Sequence, residues 1–190
     1  METSLGFFCD KIYKQNKDLG KNVKNIIRNY LGIEPIIIES NKHDKLAHSD
    51  GVLAFLNEKS ICLSEYPEIS FLKDDIKYLN GVHQKIKDHS LEVIKIFDRP
   101  IDEKVIGEGL TENDKSNNCL SSAQGIFVNF LILNDTIILP EYSIPSYKKA
   151  MDYNNVNKQT LINQGFNVIT INCDNVASLG GSLRCISFTN

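Results

Sequence analysis

An internal repeat is the sequence feature that most constrains the fold of this chain. Residues 50–66 comprise two apolar runs separated by a turn, and residues 124–142 follow the same plan. Gly51 and Gly125 open the two segments 74 positions apart, and the Glu-Tyr pairs that close them are 76 positions apart. Short apolar runs of this kind favour buried strands, so each segment predicts a pair of strands. A repeat of this length predicts an architecture built by stacking similar units.

Each pair of strands continues into a helix-like stretch and then into a further apolar run. The helical stretches cover roughly 68–89 and 146–164, and the runs that follow them are 91–96 and 166–171. The predicted unit is therefore strand–strand–helix–strand, and it is present twice in full. This order of elements indicates an α/β (α+β) fold.

The first 40 residues resemble the end of a third unit whose first strand is missing. Residues 4–9 and 36–38 are short apolar runs, and residues 18–30 place apolar side chains at helical spacing. We therefore predict a single incomplete domain that spans residues 1–190. Its predicted parts are units at roughly 1–40, 50–97 and 124–172, a polar loop at 98–123 and a closing strand at 179–189.

Composition excludes several classes of function. The chain has 190 residues and is 42% apolar, which is enough for one domain with a sizeable core. Its net charge of −3 and its pI of about 5.8 argue against binding to nucleic acid or to an anionic membrane. No apolar window approaches the roughly 18 residues of a membrane span, and the amino terminus lacks the pattern of a signal peptide. We expect a cytoplasmic protein.

The five cysteines are widely spaced, and no two form a Cys-x-x-Cys pair, which argues against a zinc site or a redox dithiol. Cys9 and Cys62 lie in apolar runs, so we expect both to be small buried side chains. Cys185 follows Gly180 and Gly181 at a predicted loop–strand junction, where a thiol is accessible and held in place. A lone cysteine is more often structural, so its interpretation depends on the groups around it. No metal or cofactor is expected.

His48 and Asp50 precede the apolar run 52–56 and are the candidates to accompany this thiol. If that run is a strand, the two side chains lie two positions apart and leave the same face. An imidazole and a carboxylate would then point side by side from the end of a strand. The alternative is an exposed loop in which Asp50 and Gly51 form a turn.

Four segments of the sequence are similar to one known family: residues 10–16, 44–57, 126–131 and 180–187. They resemble the agmatine deiminase and bacterial peptidylarginine deiminase family, within the guanidine-modifying pentein superfamily. The resemblance covers nearly all of the chain, with the segments in the right order. It implies a pentein α/β-propeller, a fan of five strand–strand–helix–strand units around a central site, of which about two and a half are present here.

The resemblance implies that Cys185 attacks a guanidinium carbon as a thiolate, and that His48 protonates the leaving nitrogen and later activates water. It also implies that Asp50 holds the cationic substrate. The chemistry agrees, because a guanidinium requires a strong nucleophile with acid assistance, and a carboxylate binds it through paired N–H bonds. The expected covalent intermediate is an S-alkylthiouronium. Asn129 and Asp44 are further substrate-binding candidates, although such residues also commonly cap turns and strand ends.

The chain departs from the family pattern in length and at two positions. Ala47 precedes His48, where related sequences usually have Gly, and Ala54 lies where an Arg is expected. The resemblance implies that the chain corresponds to the carboxyl-terminal half of a full family member, so we expect the amino-terminal half to be missing. Three explanations are open. The gene is split or truncated, or a partner chain supplies the rest, or the chain is an inactive remnant. The partner would be either the missing half or a second copy of this chain.

Three functions are compatible with these residues. The first is hydrolysis of a guanidino C–N bond with release of ammonia, either from agmatine to N-carbamoylputrescine or from free or peptidyl arginine to citrulline. The second is an inactive guanidine-binding or regulatory protein. The third is an amidinotransferase, which uses the same cysteine chemistry with an amine as acceptor. The sequence does not distinguish among the substrates.

Overall fold

Three small β-sheets follow one another along the chain in a computed structural model of the protein. The structure describes residues 4–20, 22–41, 48–100, 122–143 and 152–187. Within these ranges one sheet has two strands and the other two sheets have three strands each. Helices connect the strands, so the prediction of a mixed α/β fold is confirmed.

The first sheet pairs β1 (Ser4–Cys9) with β2 (Ile33–Ile38) in parallel. The connection contains α1 (Lys11–Gln15) and α2 (Asn22–Leu31), because parallel neighbours need a crossover rather than a tight turn. Gly32, with a φ of +67°, ends α2 and turns the chain into β2. The connection therefore holds two helices where the sequence predicted one.

The second sheet contains β3 (Leu53–Phe55), β4 (Ser60–Glu65) and β5 (Glu92–Phe97). Strand β4 lies in the centre, antiparallel to β3 and parallel to β5. The crossover to β5 is α3 (Lys73–Asp88), which has aspartates in its first turn and lysines in its last turn. Both sets of charges complement the helix dipole. The order of elements is the predicted strand–strand–helix–strand.

The third sheet repeats this order with β6 (Leu131–Leu133), β7 (Thr136–Glu141), α4 (Tyr153–Asn163) and β8 (Asn167–Asn172). Strand β7 is antiparallel to β6 and parallel to β8. Strand β6 is much shorter than predicted, because the apolar residues before it are irregular. A short helix, α5 (Asp174–Ser178), follows β8.

Strand β4 is buried on both faces and separates two hydrophobic cores. Ile61 and Leu63 point into a core shared with α3 and the first sheet, whereas Cys62 points into a core shared with α4 and the third sheet. Cys62 is fully buried, as predicted. The same prediction is wrong for Cys9, which is only partly buried and whose thiol contacts the Ser40 hydroxyl at 3.1 Å.

The outer elements of this arrangement expose large apolar side chains. On α2, Tyr30 and Leu31 are 84% and 62% exposed, and on β8 Ile169 and Ile171 are 56% and 44% exposed. Neither element has another sheet packed over these side chains within the described residues. No helix in the described ranges is both long and apolar enough to cross a membrane.

Candidate active site

One cavity brings together the three side chains predicted to carry the chemistry. It has a volume of about 420 Å³ and is lined by His48, Asp50 and Cys185, together with the loop after α5. Cys185 lies 135 positions from Asp50 in the sequence, so only the fold can join them. A larger cavity of about 520 Å³ lies between β2 and α3, but none of its described lining residues is a cysteine or a histidine.

A short turn directs His48 and Asp50 into this cavity. Residues Ser49–Gly51 form one turn of 3₁₀ helix, His48 precedes it in an extended conformation, and β3 begins only at Leu53. The prediction that His48 and Asp50 share the face of a strand is therefore wrong. The predicted alternative was a turn, and it is a turn that brings both residues to the cavity wall.

Cys185 also lies in a turn. Residues Leu183–Ile186 form a 3₁₀ helix, so the closing strand predicted to begin at Cys185 is wrong for these residues. The turn is fixed by a hydrogen bond of 3.0 Å from the Cys185 amide to the Ser182 carbonyl. Gly180 precedes it with a φ of +93°, which favours glycine. The resulting tight loop exposes the thiol to the cavity.

The side chain of Asn129 connects the two turns. Its Nδ2 donates to the backbone carbonyl and to Oδ2 of Asp50, both at 3.1 Å. Its Oδ1 accepts from the Arg184 amide at 2.9 Å and lies 3.7 Å from Cys185 Sγ. Asn129 is 2% exposed and lies in irregular chain before Leu131, so its predicted place on a strand is wrong. Its amide is used to hold Asp50 and Cys185 together.

The thiol and the carboxylate contact each other directly. Cys185 Sγ donates to Asp50 Oδ2 across 3.6 Å. Burial raises the pKa of the Cys185 thiol, and the neighbouring charge of Asp50 raises it further, so the group is protonated at neutral pH in this state.

Burial lowers the pKa of Arg184, while Asp50 raises it. The guanidinium of Arg184 lies 5.7 Å from the centre of the Phe130 ring and provides positive charge behind the site.

Tyr142 and Ser182 support the site, and the sequence predicted a role for neither. The Tyr142 hydroxyl donates to the Ile126 carbonyl at 3.0 Å and lies 3.1 Å from the hydroxyl of Ser182, which is fully buried. Ser182 in turn accepts, through its carbonyl, the hydrogen bond that closes the turn of Cys185. The repeated Glu-Tyr pair marked Tyr142 as a repeat position, but this contact depends on the fold.

We expect Tyr142→Phe to lower the free energy of unfolding by about 1 to 2 kcal/mol, because buried polar groups lose a hydrogen-bond partner. Urea unfolding followed by circular dichroism measures the change. Tyr30→Phe is the matched control, since Tyr30 is 84% exposed and its change is expected within about 0.5 kcal/mol. Equal losses in the two variants would contradict a supporting role for the Tyr142 hydroxyl.

The structure describes one of the three other positions singled out in the sequence. Asp44 and Ala47 lie outside the described residues. Ala54 is 1% exposed in β3, where it pairs with Cys62 of β4. A small side chain therefore fills this position in the core, next to the turn that carries Asp50.

Comparison with known proteins gives matches of fold and family. The chain is similar to C. jejuni agmatine deiminase with substrate bound, with a TM-score of 0.69 and 13% identity, over 95% of this chain and 50% of that one. It is also similar to the agmatine deiminase of Enterococcus faecalis, with a TM-score of 0.68 and 18% identity, over 96% of this chain and 52% of that one.

A more distant match is a dimethylarginine dimethylaminohydrolase adduct, with a TM-score of 0.51 and 12% identity, over 98% of this chain and 52% of that one. The chain thus spans about half the length of the solved structures it matches. No curated protein matches it.

A family model supplies the assignment. The model described as Porphyromonas-type peptidyl-arginine deiminase matches residues 11–190, which is nearly the whole chain. The family predicted from the sequence is therefore confirmed: the chain belongs to the Porphyromonas-type peptidyl-arginine deiminase family.

Proposed function

We propose that this chain carries the nucleophile-bearing part of a deiminase that hydrolyses a guanidino C–N bond. The observation that carries the proposal is the single cavity lined by His48, Asp50 and Cys185, in which the thiol lies 3.6 Å from the carboxylate. A thiol, an acid–base group and an anion that binds cations are the groups this hydrolysis requires. Membership of the family supports the same reaction.

Substrate binding activates the thiol in this proposal. Asp50 binds the guanidinium through paired N–H bonds, and this contact replaces the one between the carboxylate and Cys185 Sγ. The neighbouring cation stabilises the thiolate, because opposite charges favour the ionised form of each other, and the thiol proton passes to water. Asn129 keeps Asp50 beside the Cys185 turn during this exchange.

The reaction then proceeds in two stages. The Cys185 thiolate forms a C–S bond to the guanidinium carbon, and the C–N bond breaks while protonated His48 donates a proton to the leaving nitrogen, which departs as ammonia. An S-alkylthiouronium remains on the enzyme. Neutral His48 next removes a proton from water, the new C–O bond forms, and the C–S bond breaks to release a ureido product.

A product assay tests this function. The chain is incubated with agmatine, free arginine or an arginine-containing peptide, alone and after mixing with the amino-terminal half of the E. faecalis enzyme. We expect ammonia and a ureido product in equal amounts from one of these substrates. Absence of product from all three under both conditions would refute the proposal. Calorimetric binding of agmatine without turnover would then favour an inactive guanidine-binding protein.

Glycine added as an acceptor separates hydrolysis from amidinotransfer. A hydrolase continues to release a ureido product, whereas an amidinotransferase transfers the amidino group to the amine and releases none.

The free thiols at Cys9, Cys62, Cys173 and Cys185 support a reducing compartment such as the cytoplasm.

We also propose that a further polypeptide segment, on the same chain or a partner, completes the propeller of units. Its docking faces are the exposed apolar side chains of α2 and β8. The matched structures are about twice as long as this chain, which supports an occupant of similar size. Sedimentation velocity of the chain, alone and mixed with the amino-terminal half of the E. faecalis enzyme, is expected to show association that Ile169→Lys weakens. If the wild type sediments as a monomer in both samples, the result would contradict assembly with a second copy and assembly with the missing half.

A further inference from the structure

We propose that Asp98 is a positioning residue that places the Asn129 amide between Asp50 and the turn of Cys185. Asp98 is fully buried immediately after β5 and does not line the cavity. It acts on the site only through the backbone that it holds. The proposal rests on the proposed function for its meaning in catalysis, but its geometry and its test do not require turnover.

The carboxylate of Asp98 holds a segment that has no strand partner. Its Oδ1 accepts hydrogen bonds from the backbone amides of Phe127, at 2.6 Å, and Val128, at 3.3 Å. Both residues are buried and lie before β6 begins, so no β-ladder satisfies their amides. Buried amides need acceptors, and this carboxylate provides them. Asn129 is the next residue along the chain.

Two further contacts fix the carboxylate itself. The Ser64 hydroxyl at the end of β4 donates to Asp98 Oδ2. The Asp98 amide donates to the Glu65 carbonyl at 3.0 Å, which continues the register of β5 on β4. The second sheet therefore supplies a rigid anchor, and Asp98 transmits its position to the segment that ends at Asn129.

A backbone hydrogen bond lies next to these contacts. The Arg99 amide donates to the Gly125 carbonyl at 2.7 Å. Residues 125–128 form a short irregular stretch, and residues 98–99 are hydrogen-bonded to both of its ends. The pKa of Asp98 is raised to about 7, because the effect of burial exceeds that of the hydrogen bonds from Ser64, Phe127 and Val128, which lower it. An acceptor oxygen faces the two amides whether or not the group is protonated.

The side-chain amide of Asn129 gives a direct readout of this role. In ¹⁵N-labelled protein we expect its two Nδ2 protons to give a pair of signals, identified by its loss in Asn129→Asp, and to exchange slowly because the amide is hydrogen-bonded to Asp50. We expect Asp98→Ala to shift this pair and to speed its exchange. The Cys185 thiol should also be alkylated faster, by about fivefold, because a displaced Asn129 no longer keeps the thiol beside the Asp50 carboxylate, whose charge favours the unreactive protonated form. Iodoacetamide with peptide mass spectrometry follows Cys185 separately from the other cysteines.

Two variants separate positioning from general loss of structure. Asp98→Asn keeps an oxygen acceptor for the two amides and is expected to restore the Asn129 signals and the alkylation rate. Asp75→Ala is the matched control, because Asp75 is 2% exposed, accepts from Asn41 at 2.7 Å and lies on α3, away from the cavity. It is expected to leave both readouts unchanged.

The proposal fails if folded Asp98→Ala leaves the Asn129 signals and the Cys185 alkylation rate as they are in Asp75→Ala. Where Asp98→Ala does not fold, Ser64→Ala replaces it, since it removes one contact that orients the carboxylate. Ser64→Ala must then shift the Asn129 signals in the same direction, and unchanged signals would overturn the proposal. A protein without deiminase activity that shows these shifts would refute the proposed function alone.

Discussion

Replacement of Cys185 by alanine is expected to lower kcat/KM by more than about 10⁴-fold, because the reaction loses the atom that forms the covalent bond. Water cannot replace a thiolate as nucleophile toward a resonance-stabilised guanidinium at the same rate. The cavity, Asp50 and the Asn129 bridge are expected to remain. Substrate binding should therefore persist in the variant while turnover disappears.

The measurement combines a product assay with calorimetry, using the substrate found to be turned over by the wild type. Cys9→Ala is the matched control, since that thiol is partly buried beside Ser40 in the first sheet and does not line the cavity. It should keep wild-type kinetics. Turnover by Cys185→Ala at a rate near that of Cys9→Ala would contradict covalent catalysis by Cys185.

The repeated units were predictable because apolar periodicity reports on burial. Strand β4 shows this well, since its consecutive buried residues face two different cores and gave a continuous apolar run in the sequence. The same signal overestimated the length of the first strand in both full units. Val52 and Phe127 are buried like strand residues, but the first follows a 3₁₀ turn and the second binds Asp98 through its amide. Burial alone does not distinguish a ladder from an irregular buried segment.

The residues that form and support the candidate site were predictable only in part. His48, Asp50 and Cys185 were singled out by their residue types and by the resemblance of their surroundings, and they do line one cavity. Asp98 and Tyr142 were not, because neither lines the cavity and both act through groups far away in the sequence. The hydrogen bond from Phe127 to Asp98 spans 29 positions, and the contact from Tyr142 to Ser182 spans 40. No local pattern encodes pairings of that range.

Gly125→Ala is expected to lower the free energy of unfolding by about 3 kcal/mol or more, since two separate penalties add at this position. Gly125 has a φ of +80°, where an L-residue is strained by about 1 to 2 kcal/mol. A methyl group there would also overlap the backbone carbonyl of Arg99, which cannot rotate away as a side chain could. The Arg99–Gly125 hydrogen bond would have to break, and the segment that carries Asn129 would move.

Gly165→Ala isolates the first penalty and is the matched control. Gly165 has a φ of +92°, but a methyl group at this position would meet no atom within 4 Å. Its substitution should therefore cost only the conformational strain of about 1 to 2 kcal/mol. Urea unfolding of both variants measures the difference, and the side-chain signals of Asn129 report whether the site moves with it. Equal losses of stability would show that the contact between Gly125 and Arg99 does not constrain the fold. A larger loss at Gly125 with shifted Asn129 signals would tie the stability of this segment to the geometry of the site.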